Sequence, residues 1–253
     1  MTEEAKNNLR KKKKRRKKHY LLRIVLSLVI ISAIAVFLTS SFFNLGKVTV
    51  EGNSYFADNE IIIMADVEGG SNLFFGVDSG RTISRLTASP YIDNASVTRR
   101  LPNEIIIEID ERKQIAAATY GDKYILIDSE GMVLRISETK PKVTILKGLT
   151  LTKVNEGESL EAEEKIVLKN TLKMLNAMES GDLYFIKIEM SELFINAYIF
   201  NSLVCKGAPD NMLHSIESGD IQKTLATMFN DGITRGTLYI TEGDGISYNP
   251  EVE

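Results

Sequence analysis

One cysteine and two histidines in 253 residues leave little material for redox or metal chemistry. Cys205 has no partner for an intrachain disulfide, and within Leu203-Val204-Cys205 it reads as a small buried apolar side chain. A core of this size folds without such a staple. His19 adjoins a basic run and His214 falls on an expected helix, on opposite sides of the apolar segment considered next, so they cannot share a site. A zinc centre therefore lacks its preferred ligands, and no cofactor or metal is expected. Charge and proline are both missing from Ile24 to Phe43, interrupted only by Ser27, Ser32 and Thr39. Twenty helical positions reach about 30 Å, the thickness of a bilayer core.

A buried globular helix would carry a polar face, which this run lacks. A cleaved signal peptide is the stronger rival, with Thr39, Ser40 and Ser41 as small residues near a cleavage point, but its apolar part is shorter, about 7 to 15 residues. The run is read as a transmembrane anchor over residues 24–43. Before it stand nine consecutive cations, Arg10 followed by Lys11, Lys12, Lys13, Lys14, Arg15, Arg16, Lys17 and Lys18. Such a flank stays cytoplasmic, so the amino end is expected inside and the rest outside. Residues 1–23 carry a net charge of +9 and the remainder −12. Anionic lipid is the simplest partner for the tail. No nucleic acid is expected, because phosphate contacts need the Lys and Arg that the acidic outer part lacks.

Beyond the anchor the expected fold class is α+β. Lys47 to Glu51 alternates as a strand and closes at Gly52-Asn53. Asp58 is the expected N-cap of a helix through Ile61, Met64 and Ala65, although its three adjacent isoleucines suit a strand equally. Ser79 is the expected cap of a second helix. A strand over 95–100, a turn at Leu101-Pro102-Asn103 and a strand over 104–111, with Ile105, Ile107 and Ile109 on one side, complete a β-α-α-β-β unit.

Ile115 to Tyr120, Lys123 to Asp128 and Met132 to Ile136 then read as a meander. Ala162 to Ser180 is an expected helix with Leu168, Leu172, Leu175 and Met178 on one face, and Glu161, Glu163 and Glu164 near its start. Strands over 184–190 and 193–200 follow, then a helix from Pro209 through Met228, loosened at Gly219. Leu238 to Thr241 and Ile246 to Tyr248 close the chain as a hairpin around Gly243-Asp244-Gly245.

Val50-Glu51-Gly52-Asn53, Glu60-Ile61, Gly70-Ser71-Asn72-Leu73-Phe74, Ser89-Pro90-Tyr91-Ile92, Val97 with Arg99-Arg100-Leu101-Pro102-Asn103, and Ile107-Glu108-Ile109 with Glu111-Arg112 resemble, in this order, the POTRA domain of the FtsQ/DivIB family of bacterial cell-division proteins. Leu126-Ile127-Asp128-Ser129-Glu130-Gly131 resembles the family's following β-domain. The resemblance implies a basic cytoplasmic tail (1–23), an anchor (24–43), a POTRA domain (44–112) and a mostly antiparallel β-domain with two helices and a short tail (113–253). It also implies a septal, single-pass protein, its outer domains extracytoplasmic. In this family the last strands of the β-domain and an adjoining helix receive FtsB (DivIC) and FtsL, and the complex regulates septal peptidoglycan synthesis. By position that surface is Leu238, Tyr239, Ile240, Thr241, Ile246, Ser247 and Tyr248, with the two tyrosines as anchors. About a dozen residues follow Thr241, where many Gram-positive relatives carry a long polar tail, so contacts through such a tail drop out of the expectation.

Catalytic motifs are weak. Ser137-Glu138-Thr139-Lys140 matches the S-x-x-K of penicillin-binding enzymes, but Pro141 follows and neither S-D-N nor K-T-G appears downstream. Gly243-Asp244-Gly245 lacks the strand-to-helix context of a phosphate loop. No enzyme is expected. The runner-up is a POTRA-type chaperone or translocation factor binding extended polypeptides, though one POTRA unit stands alone and no room is left for a barrel. A wall hydrolase is the third option, tested by incubation with peptidoglycan.

Overall fold

The computed structural model describes residues 3–243 and 245–251, and side chains from Tyr20 onward. The side chains of Lys11 to Lys18 and the turn residue Asp244 lie outside the described residues. Helix α1 runs Glu3–Leu38, and within it Tyr20–Leu38 is long and apolar enough to cross a membrane. Among the described residues it is the one helix that meets that length and composition. The helix ends before the expected Phe43: Ser41–Phe43 is a 3-10 turn, and the Phe43 carbonyl accepts the Leu73 N–H at 2.8 Å. Phe43 is buried, and helix geometry would have carried it away from that site.

The chain divides into two compact units, Met1–Leu86 with Ala95–Ile109, and Thr87–Asn94 with Asp110–Glu253. The first is built on a three-stranded sheet ordered β1-β3-β2, from β1 (Lys47–Glu51), β2 (Ile92–Arg100) and β3 (Glu104–Glu111). Strands β1 and β3 are parallel, with Val48 opposite Ile105 and Val50 opposite Ile107. Helices α2 (Asp58–Ala65) and α3 (Ser79–Leu86) supply Ile61, Ala65 and Leu86 to the core shared with Ile105, Ile107 and Leu73. Each buried isoleucine or leucine contributes about 1.5–3 kcal/mol.

Both expected helix caps move by one residue. Asp58 is the first helical residue of α2, and its carboxylate accepts from Asn53 Nδ2 at 2.7 Å. The cap position falls to Ala57, whose N–H donates to Glu60 Oε2 at 2.8 Å. At α3 it is Asp78, not Ser79, that takes the orphan Arg81 N–H on its Oδ1 at 3.1 Å.

The second unit holds a nine-stranded sheet ordered β14-β13-β12-β11-β10-β7-β4-β5-β6. Its strands are β4 (Ala116–Tyr120), β5 (Lys123–Ile127), β6 (Val133–Ser137), β7 (Thr144–Lys147), β10 (Lys187–Met190), β11 (Ile195–Phe200), β12 (Leu203–Gly207), β13 (Gly236–Ile240) and β14 (Ile246–Asn249). β8 (Leu151–Lys153) and β9 (Glu161–Ala162) pair separately. Most pairs are antiparallel, while β4 with β7, β7 with β10, and β12 with β13 are parallel.

Three helices pack on this sheet where two are expected. α4 (Lys165–Ser180) buries Leu168, Leu175 and Met178, with Leu172 half-buried. The long second helix is split into α5 (Pro209–Glu217) and α6 (Asp220–Asn230) by Gly219 at φ +76°, a conformation that a helix cannot contain. These faces meet Ile125, Ile127, Phe185, Ile188, Ala197, Cys205 and Leu238 in one core.

Candidate partner-binding edge

The two ends of the large sheet differ. Beside β6 the chain folds back on itself: the Val133 N–H donates to Glu158 O at 2.9 Å and the Gly157 N–H to Val133 O at 2.8 Å. Glu156 Oε1 accepts from the Ile136 N–H at 2.9 Å, so the outer side of β6 is occupied. At the other end β14 is paired on one side only, to β13. No further strand lies beyond it among the described residues.

The hairpin is pinned where the Thr241 N–H donates to Gly245 O at 2.9 Å, and its register sets Tyr239 opposite Ser247 and Leu238 opposite Tyr248. Bonding alternates along an antiparallel pair, so from this start the N–H and C=O groups of Ile246 and Tyr248 point away from β13. These are the groups an incoming strand would use.

The seven residues selected from sequence come together in this hairpin but do not act alike. Leu238 and Ile240 are buried in the core and their strand is paired on both sides, to β12 and β14, so they support the edge from behind. Tyr239 alternates to the face opposite Leu238 and Ile240, its ring 5.9 Å from Lys206 Nζ. Tyr248 is half-exposed; its ring covers Gly236, where a Cβ would collide with it, and its hydroxyl donates to Arg235 O at 3.1 Å.

Sequence reasoning missed what lies beside Tyr239. The strand registers set Lys147, Glu189, Asn196, Lys206, Tyr239 and Ser247 in one row across six strands. Next to it, Lys187 Nζ is 2.7 Å from Glu189 Oε1 and 3.7 Å from the Tyr198 ring centre, and the Tyr198 hydroxyl donates to Glu189 Oε2 at 2.9 Å. The hydrogen bond from Lys187 holds the Glu189 carboxyl below its usual range, and burial followed by Glu189 pushes the Tyr198 hydroxyl up. Residues scattered over some hundred positions meet only through strand order, which alternation within one strand does not encode.

The S-x-x-K residues show no catalytic geometry. Ser137 ends β6, and its hydroxyl donates to Thr139 O at 2.9 Å in a bend rather than along a helix.

A two-helix, three-stranded unit follows an apolar helix long enough to cross a membrane, and residues 43–112 match the FtsQ-type POTRA domain. Over a longer stretch than that domain, the chain is similar to the cell division protein DivIB of Clostridium acetobutylicum, at 27% identity over 69% of this chain and 71% of that protein. It is also similar to DivIB of Bacillus subtilis, at 27% identity over 78% of each chain. Cell division protein FtsQ of Syntrophotalea carbinolica is 25% identical over 62% of this chain and 54% of its own.

Proposed function

We propose that this chain is a non-enzymatic cell-division scaffold, anchored by Tyr20–Leu38 with its amino end in the cytoplasm and its domains, 44–112 and 113–253, outside at the septum. Its partners are divisome membrane proteins of the FtsB/DivIC and FtsL type, and through them it regulates septal peptidoglycan synthesis. The basic residues Lys11 to Lys18 hold the inner anionic leaflet. What supports this reading is the open β14 edge, set against a β6 end closed by the chain itself. A partner strand adding to β14 would satisfy the free backbone groups of Ile246 and Tyr248, and Leu238, Tyr239, Ile240, Thr241 and Ser247 hold that edge straight.

The test is capture of a purified DivIC-type partner by the full chain. Tyr248→Lys is expected to weaken capture at least about tenfold, since it puts a charge on the docking edge. Tyr248→Phe keeps the ring over Gly236 and is expected to bind nearly normally. Unchanged affinity for Tyr248→Lys in a protein of unaltered melting temperature removes the edge from the mechanism.

A further inference from the structure

The turn from Asn72 to Gly76 is bolted to the end of the apolar helix. Asn72 Nδ2 donates to Leu38 O at 2.9 Å, while Asn72 Oδ1 accepts the Phe74 and Phe75 N–H groups at 3.0 and 3.2 Å. One amide thus joins the last carbonyl of the helix to the start of the turn. The strand of chain leaving the helix is zipped to the same segment: Leu73 N–H to Phe43 O, Leu45 N–H to Ser71 O, and Gly70 N–H to Leu45 O, each 2.8 Å. On its far side Arg99 donates to Leu73 O at 2.8 Å and to Val77 O at 2.7 Å. Gly76 closes the turn too tightly for a side chain, because an added Cβ would stand 2.8 Å from Asn72 N.

Aromatic rings fill this joint. Phe43 is buried, with Phe37, Phe42 and Phe74 edge-on at 5.2, 5.1 and 5.3 Å between centres. Phe42 and Phe75 nevertheless remain 60% and 67% exposed. Asn72 ties the turn that carries Phe75 to the Leu38 carbonyl, and Phe42 follows that helix end by four residues, so both rings stand at the end of the apolar helix. An exposed phenylalanine forgoes about 2–3 kcal/mol that burial would return, and the apolar phase nearest to it is the bilayer that the adjoining span enters.

We propose that the Asn72–Gly76 turn is a lipid-inserting loop: Phe75, together with Phe42, enters the leaflet at the Leu38 end of the span and seats the first unit on the membrane surface. The inference rests on the reading of Tyr20–Leu38 as a membrane span. Its ligand is acyl chain at the headgroup boundary, with aromatic rings reaching about 5–10 Å below the surface.

The chain contains no tryptophan, so a single introduced indole reports on its own position. Four full-length variants, Phe75→Trp, Phe42→Trp, Val29→Trp within the span and Ile63→Trp on the exposed side of α2, are reconstituted in phosphatidylethanolamine–phosphatidylglycerol vesicles with brominated acyl chains. The Phe75→Trp protein is expected to be blue-shifted and quenched to about half or more of the level at position 42, and the Ile63→Trp protein to be unquenched. Adding Asn72→Ala should reduce quenching at position 75 and leave position 29 unchanged. Quenching at position 29 without quenching at position 75 overturns the loop insertion while leaving the span intact. Absence of quenching at both positions overturns the span reading and the insertion with it.

Discussion

Arg112 Nη1 lies 2.6 Å from Asp128 Oδ2, and the Asp128 side chain is only 6% exposed. The other carboxylate oxygen of Asp128 accepts the Glu130 and Met132 N–H groups at 3.0 and 2.8 Å, so this one residue shapes the turn between β5 and β6 while neutralising the arginine. Arg112 also reaches Asp93 and Glu130. Asp128→Ala leaves a largely buried guanidinium and two amides without their main acceptor, and is expected to cost about 3 kcal/mol. Glu130→Ala removes a carboxylate that is 74% exposed and should cost less than about 1 kcal/mol. Urea unfolding of the full chain in detergent measures both; equal effects would contradict this ranking.

Cys205 is fully buried, and burial pushes its thiol up to about 12. The thiolate is the reactive form, so a native protein at pH 8 should resist iodoacetamide and react only after unfolding. Mass spectrometry of the labelled chain decides: rapid modification under native conditions would show a locally open β12.

Several carboxylates sit below their usual range in the fold. Glu104 is held there by Lys47 first and Thr49 second, Glu158 by Lys153, and Glu189 by Lys187. A carboxyl whose folded pKa is depressed contributes stability above its unfolded pKa, about 4.3 for Glu, and loses it as pH falls through the folded value. The melting temperature should therefore be level from pH 7 to about 5 and fall below about 4. Glu104→Gln combined with Glu189→Gln should flatten that fall. A double variant with the wild-type acid profile would assign the loss to other groups.

Gly52 ends β1 at φ +87°, and a Cβ there would run into the Ile109 carbonyl oxygen of β3. Gly52→Ala combines backbone strain with that collision and is expected to cost about 2–3 kcal/mol. At Gly70, also at positive φ but with open space around it, the same substitution should cost about 1 kcal/mol. Thermal melts of the two variants compare the contributions directly.

The first unit was largely legible because its signals are local. Lys47–Glu51 alternates, Ile105, Ile107 and Ile109 are spaced two apart, and the structure gives those bounds to β1 and that face to β3. The caps were not legible to the residue: Asp58 has the chemistry of an N-cap, but Asn53 competes for its carboxylate from five positions upstream. In the second unit β7 and β12 went unread. Thr144-Ile145-Leu146 and Leu203-Val204-Cys205 are buried on both faces, so neither run alternates, and short continuous apolar runs do not distinguish strand from helix. At the hairpin, sequence located both strands. That β14 is outermost follows from crossovers such as β12 to β13 through α5 and α6, which belong to topology.

Because residues 156–160 close the large sheet beside β6, growth of that sheet by added strands has a single direction among the described residues, outward from β14. Through that sheet alone, two copies could pair β14 to β14 and would then have no further edge to extend. The large sheet thereby offers one edge to a guest strand, so under the proposed docking each chain would hold one partner strand on that sheet.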